Sequence, residues 1–433
     1  MTEPAPTGPP SPAEKSPARP EARQVAEPPA AVEGETSSRV RRALLAAGVI
    51  ALGLWVSLPT LAIILALVFM LFVHELGHYL TAKAAGMKVT EFFIGFGPRI
   101  WSFRRGETEY GIKPIPAGAY VRIIGMSNLE EVDPAEEGRT YRQQPYWRRL
   151  SVAVAGSTMH FLMAIVLMFT ILSVIGTPAY DSPRWTVGSV APGSAAEAAD
   201  LRSGDRIVAV DGNRFESFQA LSTYFREHPG EQIDLVVDRG GRELSLSTTL
   251  GTSTDQGEQI GFLGVGAEFP VDREGPVSGL VDAVQTTGKT MWLSVEALGQ
   301  FFSPEGLSGY VDTLLGTAPT TAPDEIEGEN RVISPVAAVQ IGSAAASNSV
   351  ADALSFLFII NVFIGVFNMV PLLPLDGGHV AIATYERIRS RKGRRYFADV
   401  GKLMPLTYAV VALLVVVGVT ALYLDIVDPV RLQ

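Results

Sequence analysis

The sequence has no cysteine, and it has only five histidines among its 433 residues. The absence of cysteine excludes disulfides, iron–sulfur clusters, thiolate metal sites and cysteine nucleophiles together. Any metal site in this chain must therefore be built from histidine and carboxylate side chains.

Charge is also scarce in this chain. Charged residues make up 18% of the sequence and hydrophobic residues 47%, whereas soluble domains carry about 25% charged residues. The 35 Lys and Arg against 45 Asp and Glu leave a net charge of −10, so the basic surplus expected for nucleic-acid binding is missing. The composition indicates a membrane protein.

The apolar residues are concentrated in long runs. Residues 43–73 carry no charge over 31 positions, which exceeds the about 20 residues that one upright helix needs to cross a bilayer. Pro59 interrupts this run, so residues 43–57 form either a separate helix, which we slightly favour, or the start of one kinked helix. Further apolar spans lie at about 150–175, 353–373 and 403–424.

We predict a polytopic α-helical membrane protein with four core transmembrane helices, an extra N-terminal helix being left open. A membrane-associated β-ribbon and an inserted extracytoplasmic α/β domain accompany these helices, and a small soluble sheet is an equal alternative to the ribbon. The predicted segments are a disordered proline-rich tail (1–40), the first membrane segment or segments (43–85), the ribbon and loop (86–149), the second core helix (150–176), the α/β domain (184–268), an amphipathic helix with an acidic loop (279–330), the third core helix (350–385) and the last transmembrane helix (403–424).

Basic residues predict how these segments are oriented. Segment 83–149 carries 11 Lys and Arg in 67 residues and segment 386–402 carries 7 in 17, while segment 181–352 carries only 10 in 172 against 25 Asp and Glu. Because cytoplasmic loops are enriched in Lys and Arg, the first two segments are expected in the cytoplasm and the long acidic segment outside it.

The end of the first apolar run carries the pattern His74-Glu75-Leu76-Gly77-His78. On a helix the two histidines share a face and can bind one Zn²⁺, with Glu75 beside them as general base. The alternative is a pair of histidines satisfied at a helix end. Three ionisable residues at membrane depth are expensive, which favours the metal site.

Zinc hydrolases commonly use three protein ligands, and no third histidine follows the pair closely in this sequence. Asp376 is the best candidate because it ends an apolar span among prolines and glycines, although it could simply terminate a helix. His379 could also be a ligand but is better placed in a supporting role. His160, inside the second span, is expected to bond a neighbouring helix or to line the site.

Three motifs together resemble the site-2 proteases, which are intramembrane zinc metalloproteases. They are the histidine pair with Glu75, the exported domain, and the stretch Asn368-Met-Val-Pro-Leu-Leu-Pro-Leu-Asp-Gly-Gly378, in this order. The stretches at 93–98 and 105–110 look like the bacterial, actinobacterial type. The exported domain is similar to a PDZ domain at 201–205 and 210–212, and residues 333–336 resemble the motif before the third core helix.

The resemblance implies a role for each matching residue. His74, His78 and Asp376 would bind one zinc ion per chain, Glu75 would be the catalytic base, and Asn368 would bind the substrate backbone or the developing oxyanion. The chain departs from the family pattern at Pro374, which lies six residues after Asn368, and in the second helix. There Gly156, Ser157 and His160 replace a motif with Gly-Pro and Asn, so no family role is carried over to His160.

The predicted function is a zinc-dependent endopeptidase of the bacterial cytoplasmic membrane that cuts the transmembrane segments of single-span proteins. Anti-sigma factors and remnant signal peptides are the substrates that the resemblance suggests, with the ribbon capturing and the PDZ-like domain screening them. A non-catalytic PDZ adaptor that binds exported peptide tails is the alternative, and a zinc or proton transporter is a weaker one. The sequence leaves the oligomeric state and the peptide preference open.

Overall fold

A computed structural model describes residues 56–427 apart from 181, 256–257, 316–331 and 391–393. The tail predicted over 1–40, nearly all of the optional helix over 43–57 and the acidic loop after 316 lie outside the described residues. The described residues form ten α-helices: α1 (Leu58–Ala84), α2 (Tyr146–Phe169), α3 (Ala195–Ala198), α4 (Phe218–Glu227), α5 (Pro276–Phe301), α6 (Pro304–Leu315), α7 (Pro335–Asn348), α8 (Val350–Asn368), α9 (Asp376–Arg389) and α10 (Met404–Val427).

Four helical stretches in this part of the chain are long and apolar enough to cross a membrane: Leu58–Ala84, Tyr146–Ile175, Val350–Asn368 and Val400–Val427. The first begins where the proline predicted a break. Ser57 caps α1 by accepting a hydrogen bond from the Thr60 amide at 3.3 Å, and Pro59 lies in the first turn, where its missing N–H leaves no bond unmade. The prediction of a polytopic membrane protein is confirmed.

Thirteen strands accompany the helices in the described ranges: β1 (Val89–Phe96), β2 (Trp101–Arg105), β3 (Thr108–Ile112), β4 (Ile115–Ile123), β5 (Thr177–Pro178), β6 (Thr186–Val190), β7 (Arg206–Val210), β8 (Gln232–Arg239), β9 (Arg242–Thr249), β10 (Gly251–Asp255), β11 (Glu258–Phe262), β12 (Val265–Glu268) and β13 (Val271–Asp272). The first four form one sheet in the order β2-β3-β1-β4. Strand β1 pairs parallel to β3 and antiparallel to β4, so β4 is an edge strand.

Ion pairs hold the four-stranded sheet against the end of α1. Lys83, in the last turn of α1, donates to Glu107 at 2.6 Å, and Arg139 donates to the same carboxylate at 2.8 Å. The hydrogen bond from Arg139 and the one from Lys83 lower the pKa of Glu107 to about 2. Because Glu107 lies between β2 and β3, these contacts fix the sheet against the helix that carries the histidine pair.

The remaining strands build a separate unit between α2 and α5. Strands β7, β8 and β9 form an antiparallel sheet, β12 pairs with β6, and β10 pairs with β11. Its core is centred on Trp185, Val187, Leu221, Leu235 and Val237. In this unit Arg239 donates to the buried Asp205 at 2.8 Å, and that hydrogen bond holds the pKa of Asp205 below its usual value.

The helices α1, α2 and α8 approach one another closely at glycine positions. A Cβ added at Gly77 in α1 would lie 2.8 Å from Met159 Cγ and 2.9 Å from the carbonyl oxygen of Ala155 in α2. A Cβ added at Gly365 in α8 would lie 2.7 Å from the ring of Phe161. Small residues at such crossings allow helix backbones to pack directly in a membrane, and these crossings bring α1, α2 and α8 together.

The third core helix predicted over 350–385 is divided in the structure. Helix α8 ends at Asn368, residues 369–375 turn without helical structure, and α9 begins at Asp376. A Cβ at Gly377 would overlap the carbonyls of Met369 and Val370, so glycine there lets the turn fold back onto the start of α9. Such irregular backbone is tolerated at membrane depth where protein surrounds it.

The two basic segments meet on one side of the helices. Asn128 donates to the carbonyl of Ala398 at 2.9 Å, and Arg395 donates to the carbonyl of Gln143 at 3.1 Å. In addition, Arg149 of α2 donates to Glu386 of α9 at 2.5 Å, and both side chains are less than 10% exposed. The charge count had placed both segments in the same compartment, and these contacts agree with that placement.

We predict that Glu386→Leu lowers the free energy of unfolding by about 3–5 kcal/mol, because it leaves the Arg149 guanidinium buried without its carboxylate. The double variant Arg149→Met with Glu386→Leu should recover much of that loss, since it removes both charges. The measurement is denaturant unfolding in detergent micelles.

The control is Arg202→Met, which breaks an ion pair with Asp200 whose side chains are 63% and 66% exposed. Exposed pairs contribute at most about 1 kcal/mol, so this variant should unfold almost as the wild type does. Equal losses in the single and double variants would contradict the prediction.

Candidate active site

Helix α1 presents both histidines of the predicted pair on one face. His74 and His78 are four residues apart, one helical turn, and both are buried. Their rings pack edge to face with centroids 4.9 Å apart, and their Nε2 atoms are 3.2 Å apart. The local helix thus supplies two imidazole nitrogens at a single point.

Asp376 brings the third polar atom from a distant part of the chain. Its Oδ2 lies 3.4 Å from His74 Nε2 and 3.2 Å from His78 Nε2. The three atoms form a nearly equilateral triangle, and its edges match the about 3.3 Å that separates ligand atoms in a tetrahedral site with bonds of about 2.0–2.1 Å. The predicted set His74, His78 and Asp376 is brought together, and it forms one group able to hold a metal ion.

Hydrogen bonding shows which nitrogen of His78 is free to bind a metal. His78 Nδ1 lies 2.7 Å from the carbonyl oxygen of Val152. A carbonyl oxygen can only accept, so Nδ1 carries a proton and, in the neutral ring, the lone pair is on Nε2. A lone pair directed at a carboxylate oxygen is repulsive unless a proton or a metal ion lies between them. The donor set, two imidazoles and one carboxylate, fits zinc.

Gly156 of α2 forms the wall of this site. A Cβ added there would overlap the rings of both His74 and His78, with its distance to His78 Nε2 only 2.5 Å. Any other residue at this position would push into the space where the two Nε2 atoms meet. Gly156 therefore allows α2 to close over the ligand atoms without filling the site.

Glu75 lies beside the pair and faces the sheet. The residue is partly buried, and its carboxylate is directed at the backbone of Val121 in β4. Since β4 is the edge strand of the sheet, the carboxylate borders a row of backbone groups that β1 does not use. The Glu75 carboxylate, a proton acceptor, therefore lies between the group His74, His78 and Asp376 and the outer edge of β4.

The other predicted residues lie around this cluster. Asn368 ends α8, at the start of the turn that leads to Asp376. His379 packs against Tyr141 with ring centroids 6.1 Å apart and is not among the three grouped residues. His160 is fully buried and bonds Asn361 of α8 at 2.9 Å, while its ring lies 5.1 Å from that of His74.

Sequence reasoning had assigned no role to three of these neighbours. Gly156 was noted only within the second-helix motif, and the Val152 carbonyl gives no sequence signal, because their roles depend on how α2 packs against α1. Asn361 did give a signal that could have been used. It is a polar side chain inside an apolar span, and such residues commonly bond across helices.

A helix long and apolar enough to span a membrane that carries HExxH, completed by a carboxylate from a remote helix, defines the class of membrane-embedded metallopeptidases. The chain belongs to peptidase family M50, whose sequence model matches residues 62–414. The resemblance to site-2 proteases is thereby confirmed, and so is the prediction of a hydrolase over the adaptor alternative.

Individual relatives agree with the family match. The chain is 35% identical over 404 residues to the zinc metalloprotease Rip1 of Mycobacterium tuberculosis, covering 85% of this chain and 97% of the relative. It is 32% identical to Rip1 of Mycolicibacterium smegmatis over 84% of this chain and 96% of the relative. It is 27% identical to the zinc metalloprotease RasP of Geobacillus kaustophilus over 74% and 88% of the two chains.

Among solved structures, the PDZ domain of an SdrC-like protein from Listeria monocytogenes aligns with 21% of this chain and 92% of its own. The sequence identity is 24% and the TM-score 0.18. This overlap is too weak to support an argument about the fold.

We predict that Gly156→Ala abolishes stoichiometric zinc binding, because the new methyl group would overlap both imidazole rings. The measurement is zinc content per chain after purification in detergent. Gly418→Ala is the matched control, since a Cβ at Gly418 in α10 meets nothing within 4 Å. Full zinc content in Gly156→Ala would show that the wall of the site lies elsewhere.

Proposed function

We propose that this chain hydrolyses peptide bonds inside the transmembrane segments of single-span membrane proteins, with zinc as its cofactor. In this proposal His74, His78 and Asp376 hold the ion and Glu75 is the general base. The observation that carries the proposal is the triangle of three ligand atoms, with edges of 3.2, 3.2 and 3.4 Å, on a helix apolar enough to span the membrane.

The chemistry divides between the metal and the protein. When bound, zinc polarises a carbonyl group and makes water acidic enough to ionise near neutral pH. Glu75 accepts the proton of the attacking water at its carboxylate and returns it to the leaving nitrogen. The hydrogen bond to Val152 keeps the proton of His78 on Nδ1, so that His78 Nε2 remains a ligand. The close wall at Gly156 limits the space for bulk water.

Substrate capture is assigned to the edge strand β4. A transmembrane helix hides its amide groups in internal hydrogen bonds, so it must unwind before a peptide bond can be attacked. An extended segment added to β4 would pair with its open backbone groups, in the mode known as β-augmentation. Because β4 passes the Glu75 carboxylate at Val121, the captured segment would lie next to the proton acceptor.

Asn368 is proposed to bind the substrate backbone or the developing oxyanion. It ends α8 directly before the turn over residues 369–375, and α9 then starts with Asp376. The turn thus links the proposed ligand to the proposed amide donor through seven residues of non-helical chain. A side-chain amide at such a position can donate to a carbonyl oxygen as charge develops on it.

We place the protein in the bacterial cytoplasmic membrane, with the sheet β1–β4 on the cytoplasmic side. The unit with strands β6 to β12 is then extracytoplasmic and PDZ-like, and it would screen which substrates enter. The excess of Lys and Arg in segments 83–149 and 386–402 supports this orientation. Anti-sigma factors and remnant signal peptides are the proposed substrate classes.

We expect Glu75→Gln to retain about one zinc per chain and to lose cleavage by at least about 10²-fold, because general acid–base catalysis contributes 10²–10⁴-fold. The measurement compares wild type and variant in detergent, with zinc quantified and a panel of single-span substrates analysed for cuts inside the membrane span. Normal cleavage by Glu75→Gln would overturn the assignment of the base, and absence of zinc from both proteins would overturn the ligand set.

Substrate capture by β4 is tested at Ala119. Ala119 is two residues from Val121, so its amide faces the same open edge of the strand. Ala119→Pro removes that amide, and we expect cleavage of membrane-span substrates to fall about tenfold or more while zinc content stays unchanged. Ala119→Val keeps the amide and should cleave as the wild type does. Equal activity of the two variants would contradict capture at this edge.

A further inference from the structure

The two histidines of the pair differ in how their second ring nitrogen is satisfied. A metal-binding histidine almost always donates its other N–H to a carboxylate, a carbonyl or a water, which fixes the ring. His78 does so through Val152. His74 Nδ1 is buried and makes no hydrogen bond of good geometry within the described residues, although the Gly156 carbonyl lies beside the ring. When His74 Nε2 binds a metal ion beside Asp376, the proton of the neutral His74 ring is on Nδ1.

The neighbouring ring carries the complementary atom. His160 is fully buried in α2, and its ring centroid lies 5.1 Å from that of His74 with the planes inclined at 48°. Its Nδ1 lies 2.9 Å from Asn361 Oδ1, while Asn361 Nδ2 donates to the carbonyl of Leu357 at 2.8 Å. That second bond orients the amide so that Oδ1 faces His160.

These bonds determine the tautomer of His160. Asn361 Oδ1 can only accept, so His160 Nδ1 must carry the proton and Nε2 must carry the lone pair. His160 Nε2 is buried and lacks a hydrogen-bond partner in the described part of the chain. A buried donor on His74 and a buried acceptor on His160 therefore stand on adjacent rings, each unsatisfied, and unsatisfied buried groups are costly.

We propose that His160 is a positioning residue for the metal site: its Nε2 accepts the Nδ1 proton of His74 when the metal is bound, and Asn361 holds His160 in the required tautomer. This inference rests on the metal site of the proposed function. The chain Asn361–His160–His74 would then do for His74 what the Val152 carbonyl does for His78.

The packing of α8 supports this role. Gly365 lies one turn beyond Asn361, and a Cβ added at Gly365 would be 3.2 Å from His160 Cβ. The absence of a side chain there lets α8 approach α2 closely enough for the Asn361 amide to reach the imidazole. The orientation of the Asn361 amide and the close approach of α8 at Gly365 thus both act on the His160 ring.

The test compares His160→Phe with His160→Gln in the full-length protein in detergent. Phenylalanine fills the space but offers no acceptor, whereas the glutamine side-chain oxygen can reach the position of Nε2. Zinc affinity is measured by competition with a chelator, and the absorption spectrum of the cobalt-substituted protein reports ligand geometry independently of activity. The carbonyl of Gly156, the other acceptor beside His74, is left in place by both variants.

We expect His160→Phe to bind zinc about 10- to 100-fold more weakly and to change the cobalt spectrum, with His160→Gln close to wild type in both. The control is His228→Phe, which replaces a histidine that follows the end of α4 and bonds the Tyr224 carbonyl, and it should leave both readouts unchanged. Thermal unfolding of each metal-free variant is recorded, so that a folding defect is seen directly.

Wild-type affinity and spectrum in His160→Phe would overturn this inference while leaving the proposed function intact. Equal losses in His160→Phe and His160→Gln would also overturn it, because the ring would then act through packing alone. Absence of zinc from the wild type would instead overturn the proposed function and this inference together, so the two failures are distinguishable.

Discussion

The rest of the structure depends on one constraint, which is that three polar side chains able to hold a metal ion must meet inside a bundle of apolar helices. Two imidazoles and a carboxylate lose their hydration when they are buried together, so the fold has to hold them together against that cost. Helix α1 supplies the histidines from a single turn. Helix α2 closes over them with a glycine, and the break between α8 and α9 delivers Asp376 to within 3.4 Å.

In the proposed function the same region must also expose backbone to a substrate, which an apolar helix bundle does not otherwise do. The sheet suits this need because its edge strand β4 has one row of amide and carbonyl groups outside the pairing with β1, and that row passes Glu75 at Val121. Contacts from Lys83 and Arg139 to Glu107 hold the sheet against α1. The Glu75 carboxylate and the edge of β4 are therefore held in one arrangement by these contacts.

Hydrogen bonds across helices set the orientation of the buried polar groups. His78 is bonded to the backbone of α2, His160 is bonded to α8, and Arg149 of α2 is paired with Glu386 of α9. Each bond joins helices that are adjacent to the ligand cluster. Because lipid offers no hydrogen bonds in return, these pairings also select one packing of the helices over alternatives in which the groups would stay unsatisfied.

The sequence by itself determined the membrane spans, the histidine pair with Glu75 and the choice of Asp376, because hydropathy, helical spacing and scarcity of ionisable residues are local properties. Only the tertiary structure decided how the spans pack: the wall at Gly156, the carbonyl of Val152 and the Asn361–His160 pair arise where residues distant in sequence touch. The break between α8 and α9 also depends on tertiary contacts, because Gly377 lets the turn over residues 369–375 fold back onto the start of α9. Periodicity shows which face of a helix is apolar, but not which atom of a neighbouring helix will meet it.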